Sequence, residues 1–72
     1  MKKISKAHST HLKSGTILTT YDGDTIELLT DYSDFHSGYE YVSIEFDEDG
    51  ISHRAPHTGF ITAQEITHYY EG

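Results

Sequence analysis

The stretch Y39-E-Y-V-S-I-E-F-D-E-D-G-I-S-H-R-A55 alternates strictly through its first half, breaks at three carboxylates and a glycine, and then resumes. Period-two alternation is the signature of a strand with two different faces. Glu40, Val42, Ile44 and Phe46 share one face, and Tyr39, Tyr41, Ser43 and Glu45 share the other. The first face carries three large apolar side chains and is expected to point to the core. The second is expected to display two tyrosines beside a carboxylate. Asp47-Glu48-Asp49-Gly50 then reads as a hairpin tip, with Gly50 in the left-handed position that a turn demands. Ile51–Ala55 is the returning strand, and Pro56 ends it or places it on an edge, because proline has no amide hydrogen for a ladder.

Outward from this hairpin the pattern stays β. T16-I-L-T-T-Y21 and T25-I-E-L-L-T30 are rich in β-branched residues and flank D22-G-D24. Asp-Gly between such runs predicts a hairpin over residues 16–30, since glycine accepts the positive φ of a tight turn. D31-Y-S-D-F-H-S-G38 is an eight-residue loop with two aromatics. Residues 1–14 are polar, with Ile4, Ala7 and Leu12 as apolar positions, and read as an arm or a loosely docked first element ahead of one small β-rich domain over 15–72. Near the other end, Thr62 and Glu65 fit a capping box, in which each side chain satisfies the other residue's backbone amide. One helical turn is therefore expected at about 63–66, and Ile66–Tyr70 either extends it or forms a last short strand. The expected core is Val42, Ile44 and Phe46 with Ile17, Ile26 or Leu28, and Ile61.

This order, a hairpin, a loop, a central pair of strands joined by a tight tip, then Gly59-Phe60-Ile61, the turn Thr62-Ala63-Gln64-Glu65 and Ile66, resembles a Src-homology-type (SH3-like) small β-barrel over residues 15–70. The resemblance implies a mainly β fold: a five-stranded antiparallel barrel or curled sheet with one short helical turn near the C-terminus. Tryptophan is absent, and so are the proline at the helical turn and the aromatic opening motif of the peptide-binding members. Recognition of proline-rich ligands is accordingly not carried over, because fold alone does not imply function.

At 72 residues the chain holds one modest core. Cysteine is absent, so disulfides and thiolate zinc sites are excluded. No apolar run approaches membrane-spanning length, and the basic head M1-K-K-I-S-K-A-H8 lacks the hydrophobic segment of a secretory signal, so a cytoplasmic location is expected. Five Lys and Arg against twelve Asp and Glu give a net charge of −7. Lys2, Lys3 and Lys6 sit together, so from Ala7 onward only Lys13 and Arg54 oppose all twelve carboxylates, a balance of −10. Such a body repels nucleic acid and attracts basic surfaces.

The serines occupy no nucleophile-elbow or phosphate-loop setting, and no calcium-loop spacing occurs, so the chain is not expected to be an enzyme and no cofactor is implied. His8 with His11 and His53 with His57 have spacings able to share a zinc or copper ion, but spacing on loops sets no geometry, and no metal ligand is assigned. Two function classes remain. One is a non-enzymatic acidic protein-binding module that engages a basic, nucleic-acid-handling protein surface. In size and charge such a module resembles the small inhibitors of bacteriophage and mobile elements, anti-CRISPR and anti-restriction proteins among them. The other is an accessory subunit or metal-responsive module of a larger assembly. The first assigns partner binding to Asp22, Asp24, Asp31, Asp34, Glu45, Asp47, Glu48 and Asp49, with Tyr39 and Tyr41 as rigid amphipathic anchors.

Overall fold

A computed structural model describes residues 2–71. The chain is mainly β: six antiparallel strands form one open sheet, in the order β1-β6-β2-β3-β4-β5. The strands are β1 (Lys2–Lys3), β2 (Ile17–Thr20), β3 (Thr25–Leu28), β4 (Gly38–Phe46), β5 (Ser52–Thr62) and β6 (Tyr69–Glu71), with one short helix, α1 (Ala63–Ile66), before the last strand. The expected hairpin over 16–30 is present, with Leu18 opposite Ile26, and so is the helical turn at 63–66. Both halves of the capping box close: Glu65 N donates to Thr62 Oγ1 at 3.3 Å, and Thr62 N donates to Glu65 Oε2 at 3.1 Å.

β5 runs to Thr62 rather than stopping at Pro56, and it forms one edge of the sheet. The register explains the tolerance. Val42 faces Thr58 while Ile44 faces Arg54, so β5 carries two more residues than β4 across this irregularity, and Pro56 lies within it. A missing amide hydrogen costs no ladder bond at a bulge on an edge. At the other end of this ladder, where Gly38 faces Thr62, the two strands approach closely: a Cβ on Gly38 would lie 2.2 Å from the Ile61 carbonyl oxygen.

The core corrects the expected face of β4. Ile4, Leu12, Leu18, Ile26, Leu28, Tyr39, Ile61 and Ile66 form the buried cluster, with Tyr32, Tyr41 and Tyr69 packed against it. Tyr39 lies opposite Ile61 and Tyr41 opposite Leu28, so the tyrosine face of β4 is the inward one. Val42 is buried on the outer face, Ile44 is half-buried, and Phe46 and Ile17 are 59% and 46% exposed. The physical reason is the segment that covers the sheet. Residues 8–10 form a 3₁₀ turn, and the Tyr39 hydroxyl donates to Ser9 O at 2.6 Å while accepting from Leu12 N at 3.2 Å. A tyrosine whose hydroxyl is satisfied in this way is buried at little cost, and its ring contributes a large apolar area.

The segment 1–14, read above as an arm or loosely docked element, therefore supplies, over its described residues 2–14, the edge strand β1, two core side chains and the polar partners of the largest buried residue. β1 pairs with β6, Lys2 opposite Glu71 and Lys3 opposite Tyr70, and Ile4 N donates to Tyr69 O at 3.1 Å. No helix among the described residues is long and apolar enough to cross a membrane.

Candidate functional site

The strand register sorts the predicted acidic residues into two groups. Thr25 faces Ile44, so the turn preceding Thr25, with Asp22 and Asp24, lies beside Glu45 and the β4–β5 tip that carries Asp47, Glu48 and Asp49. These six carboxylates share one end of the sheet. Asp31 and Asp34 lie on the β3–β4 loop, which leaves the sheet at the opposite end. Asp31 is also occupied, since its Oδ1 accepts from Ser14 N at 2.9 Å.

At the acidic end a crevice of about 610 Å³ opens between β3, β4 and β6. Asp24 and Glu45 stand on its margin, and Tyr41, Ser43, His57 and Tyr69 line it. Tyr41 is half-buried, with its ring laid over Gly59, the residue directly across the ladder: a Cβ there would come within 2.8 Å of the Tyr41 hydroxyl. Burial raises the Tyr69 pKa above its ordinary value, helped by Tyr41 and by the nearby charges of Asp24 and Glu65. Of the two tyrosines assigned as partner anchors, only Tyr41 reaches this crevice. Tyr39 is fully buried and satisfied inside the protein, so it is removed from the contact surface. Tyr69 takes its place at the site, which no local pattern announces, because it is brought there by β6 pairing with β2, with Thr20 opposite Tyr69.

The three carboxylates of the tip are not equivalent. Asp47 Oδ1 accepts from the backbone amides of Asp49 and Ile51, both at 2.9 Å, and Oδ2 lies 2.9 Å from His53 Nε2. The His53 contact and these amides hold the Asp47 carboxyl below its ordinary pKa. Asp47 thus builds the turn, whereas Glu48 and Asp49 are exposed and their carboxylates enter no hydrogen bond among the described residues. On the outer face Arg54 holds Glu27 with two hydrogen bonds, Nε to Oε1 at 3.1 Å and Nη2 to Oε2 at 2.9 Å. That pair withdraws one of the two cations of the body and leaves the acidic end without an opposing free arginine.

The histidine pairs do not converge. His8 Nε2 approaches Glu71 at 3.4 Å, His53 approaches Asp47, and no group of three metal-ligating side chains gathers among the described residues. An aromatic cluster that the sequence reading passed over lies on the β3–β4 loop side, where His36 meets Phe35 and Phe60 edge-on with centroids 4.8 and 5.8 Å apart.

Comparison with known proteins gives no matching family model, no matching curated protein and no matching solved structure.

Proposed function

We propose that this protein is a non-enzymatic, acidic protein-binding module of the cytoplasm whose carboxylate-rich sheet end occupies a basic surface on a nucleic-acid-handling partner, in the manner of inhibitors of the anti-CRISPR or anti-restriction type. The observation that carries the reading is that Asp22 and Asp24 of one turn, Glu45 near the end of β4 and Asp47, Glu48 and Asp49 of a second turn share one end of the sheet, where a crevice bordered by Asp24 and Glu45 offers Tyr41 and Tyr69. Carboxylates gathered at one end of the sheet present charge where a groove meant for phosphates expects it. Tyrosines beside them provide stiff contact area with a polar tip, the residue type enriched where binding energy concentrates.

The test is a variant carrying Asp22→Asn, Asp24→Asn, Glu45→Gln, Glu48→Gln and Asp49→Asn, which removes five charges and spares the turn-building Asp47. A partner captured from lysate at low ionic strength should associate with this variant slower by about tenfold or more, and its remaining rate should lose most of its salt dependence. A duplex DNA competitor should displace the unmodified protein. Equal association rates for the two forms, or a partner indifferent to nucleic acid, would overturn the reading.

A further inference from the structure

The amino-terminal lysines, which the acidic reading does not use, line a second concavity of opposite character. A cleft of about 890 Å³ lies between the amino-terminal segment and α1, bordered by Lys3, Lys6, Ser5, Gln64, Thr67 and His68 among others, and among the described residues no carboxylate side chain borders it. We propose that this cleft binds a small soluble phosphate monoester, with Lys3 and Lys6 clamping the phosphoryl group.

The walls are built from the core outward. Ile4, which follows Lys3 in the chain, and Ile66, at the end of α1, are both buried in the core cluster, so both sides are fixed by packing. The hydroxyls of the lining are largely spent on the backbone: Ser9 Oγ donates to Lys6 O and Thr67 Oγ1 to Gln64 O, both at 2.6 Å. The groups left without a hydrogen-bond partner among the described residues are the ammoniums of Lys3 and Lys6, the Gln64 amide and the His68 ring. The nearest acids on the flanking elements are engaged elsewhere, Glu65 in the capping box and Glu71 with His8.

Two ammoniums with an amide and an imidazole suit a phosphoryl group, whose several oxygens accept from several donors at once. The volume lies in the range of small-molecule sites and exceeds what a bare phosphate fills, so the remainder of the ligand rests on the lysine stems and Ala63. The rest of the chain is strongly negative and disfavours loose accumulation of anions, which makes local binding distinguishable from a general charge effect.

Phenyl phosphate and inorganic phosphate, titrated separately into the full chain and followed by backbone amide shifts, test the assignment. Saturable shifts confined to the segment 3–10 and to 63–68 are expected, with phenyl phosphate the tighter ligand. Lys6→Gln and the double variant Lys3→Gln, Lys6→Gln, both at exposed side chains, should weaken binding, the double variant by about tenfold or more, as loss of charge-assisted hydrogen bonds requires. Lys13→Gln removes the same charge outside the cleft and should leave affinity unchanged. Shifts that fail to saturate, an equal loss in Lys13→Gln, or inorganic phosphate binding as tightly as phenyl phosphate would each overturn the proposal.

Discussion

Replacing Tyr39 by phenylalanine keeps the ring and deletes one oxygen, and that oxygen joins two parts of the chain. In the intact protein it donates to Ser9 O and accepts from Leu12 N, at 2.6 and 3.2 Å, in surroundings with no exposure to solvent. Without it, a buried amide and a buried carbonyl lose their partners. Each such orphan costs about 1–3 kcal/mol, so a loss of about 2–3 kcal/mol is expected once some relaxation is allowed. For a domain of this size that corresponds to a melting temperature lower by roughly 10–20 °C. Tyr39→Ala adds the loss of the ring, about 3–5 kcal/mol, and should leave no stable fold, since a domain this small starts near the low end of about 5–15 kcal/mol. Thermal melts by circular dichroism give the size of the effect. Amide exchange then locates it: Leu12 and its neighbours in residues 8–12 should exchange faster in Tyr39→Phe while the β2–β3 pairing stays protected. A Tyr39→Phe protein with unchanged melting temperature and unchanged Leu12 exchange would refute the role of this hydroxyl in holding residues 2–14 on the sheet.

The face assignment of β4 is tested by Phe46→Ala, which on the exposed outer face should cost less than about 1 kcal/mol by urea denaturation, against about 2–5 kcal/mol for the core reference Ile66→Ala on α1. For the tip, Asp47 has its pKa lowered from 3.8, so its contribution is present above that value and lost as pH falls through the still lower folded-state pKa. Exchange at Asp49 and Ile51 should rise on that acid limb, Asp47→Asn should remove the step, and a pH-independent pattern would contradict the turn-building role. At the alkaline end, the pKa values of Tyr39 and Tyr69 are both raised above 10.0, by burial first. The unfolded chain then ionises before the folded one, so this contribution is present below pH 10.0 and lost as pH rises above it. Absorbance titration should show Tyr39 and Tyr69 ionising late in native protein, a delay that urea abolishes.

What was legible in the linear chain was local. Asp-Gly in the 16–30 hairpin, Gly50 at the second tip, the Thr62–Glu65 box and the edge position implied by Pro56 each depend on interactions spanning a few residues, and each has its structural counterpart: Gly23 and Gly50 adopt φ of 95° and 79°, and α1 begins where its cap requires. Charge is likewise a property of composition, so the acidity of the body was readable without a fold.

The face of a strand is different. Alternation along β4 shows that two faces exist but not which one is covered, and counting large apolar side chains favoured Val42, Ile44 and Phe46. The covering layer decided it. Leu12 and the Ser9 carbonyl come from a segment 27 and 30 residues earlier than Tyr39, and their hydrogen bonds to its hydroxyl turn a polar-tipped residue into the largest one fully buried. The same long-range pairing brought β6 to β2 and so Tyr69 to the acidic crevice, separated Asp31 and Asp34 from the other six predicted carboxylates, and folded Lys3 and Lys6 against α1. Propensity and capping act between near neighbours, and the sequence carries them in plain view; burial is a property of what lies across the gap, and that is settled only when distant segments meet.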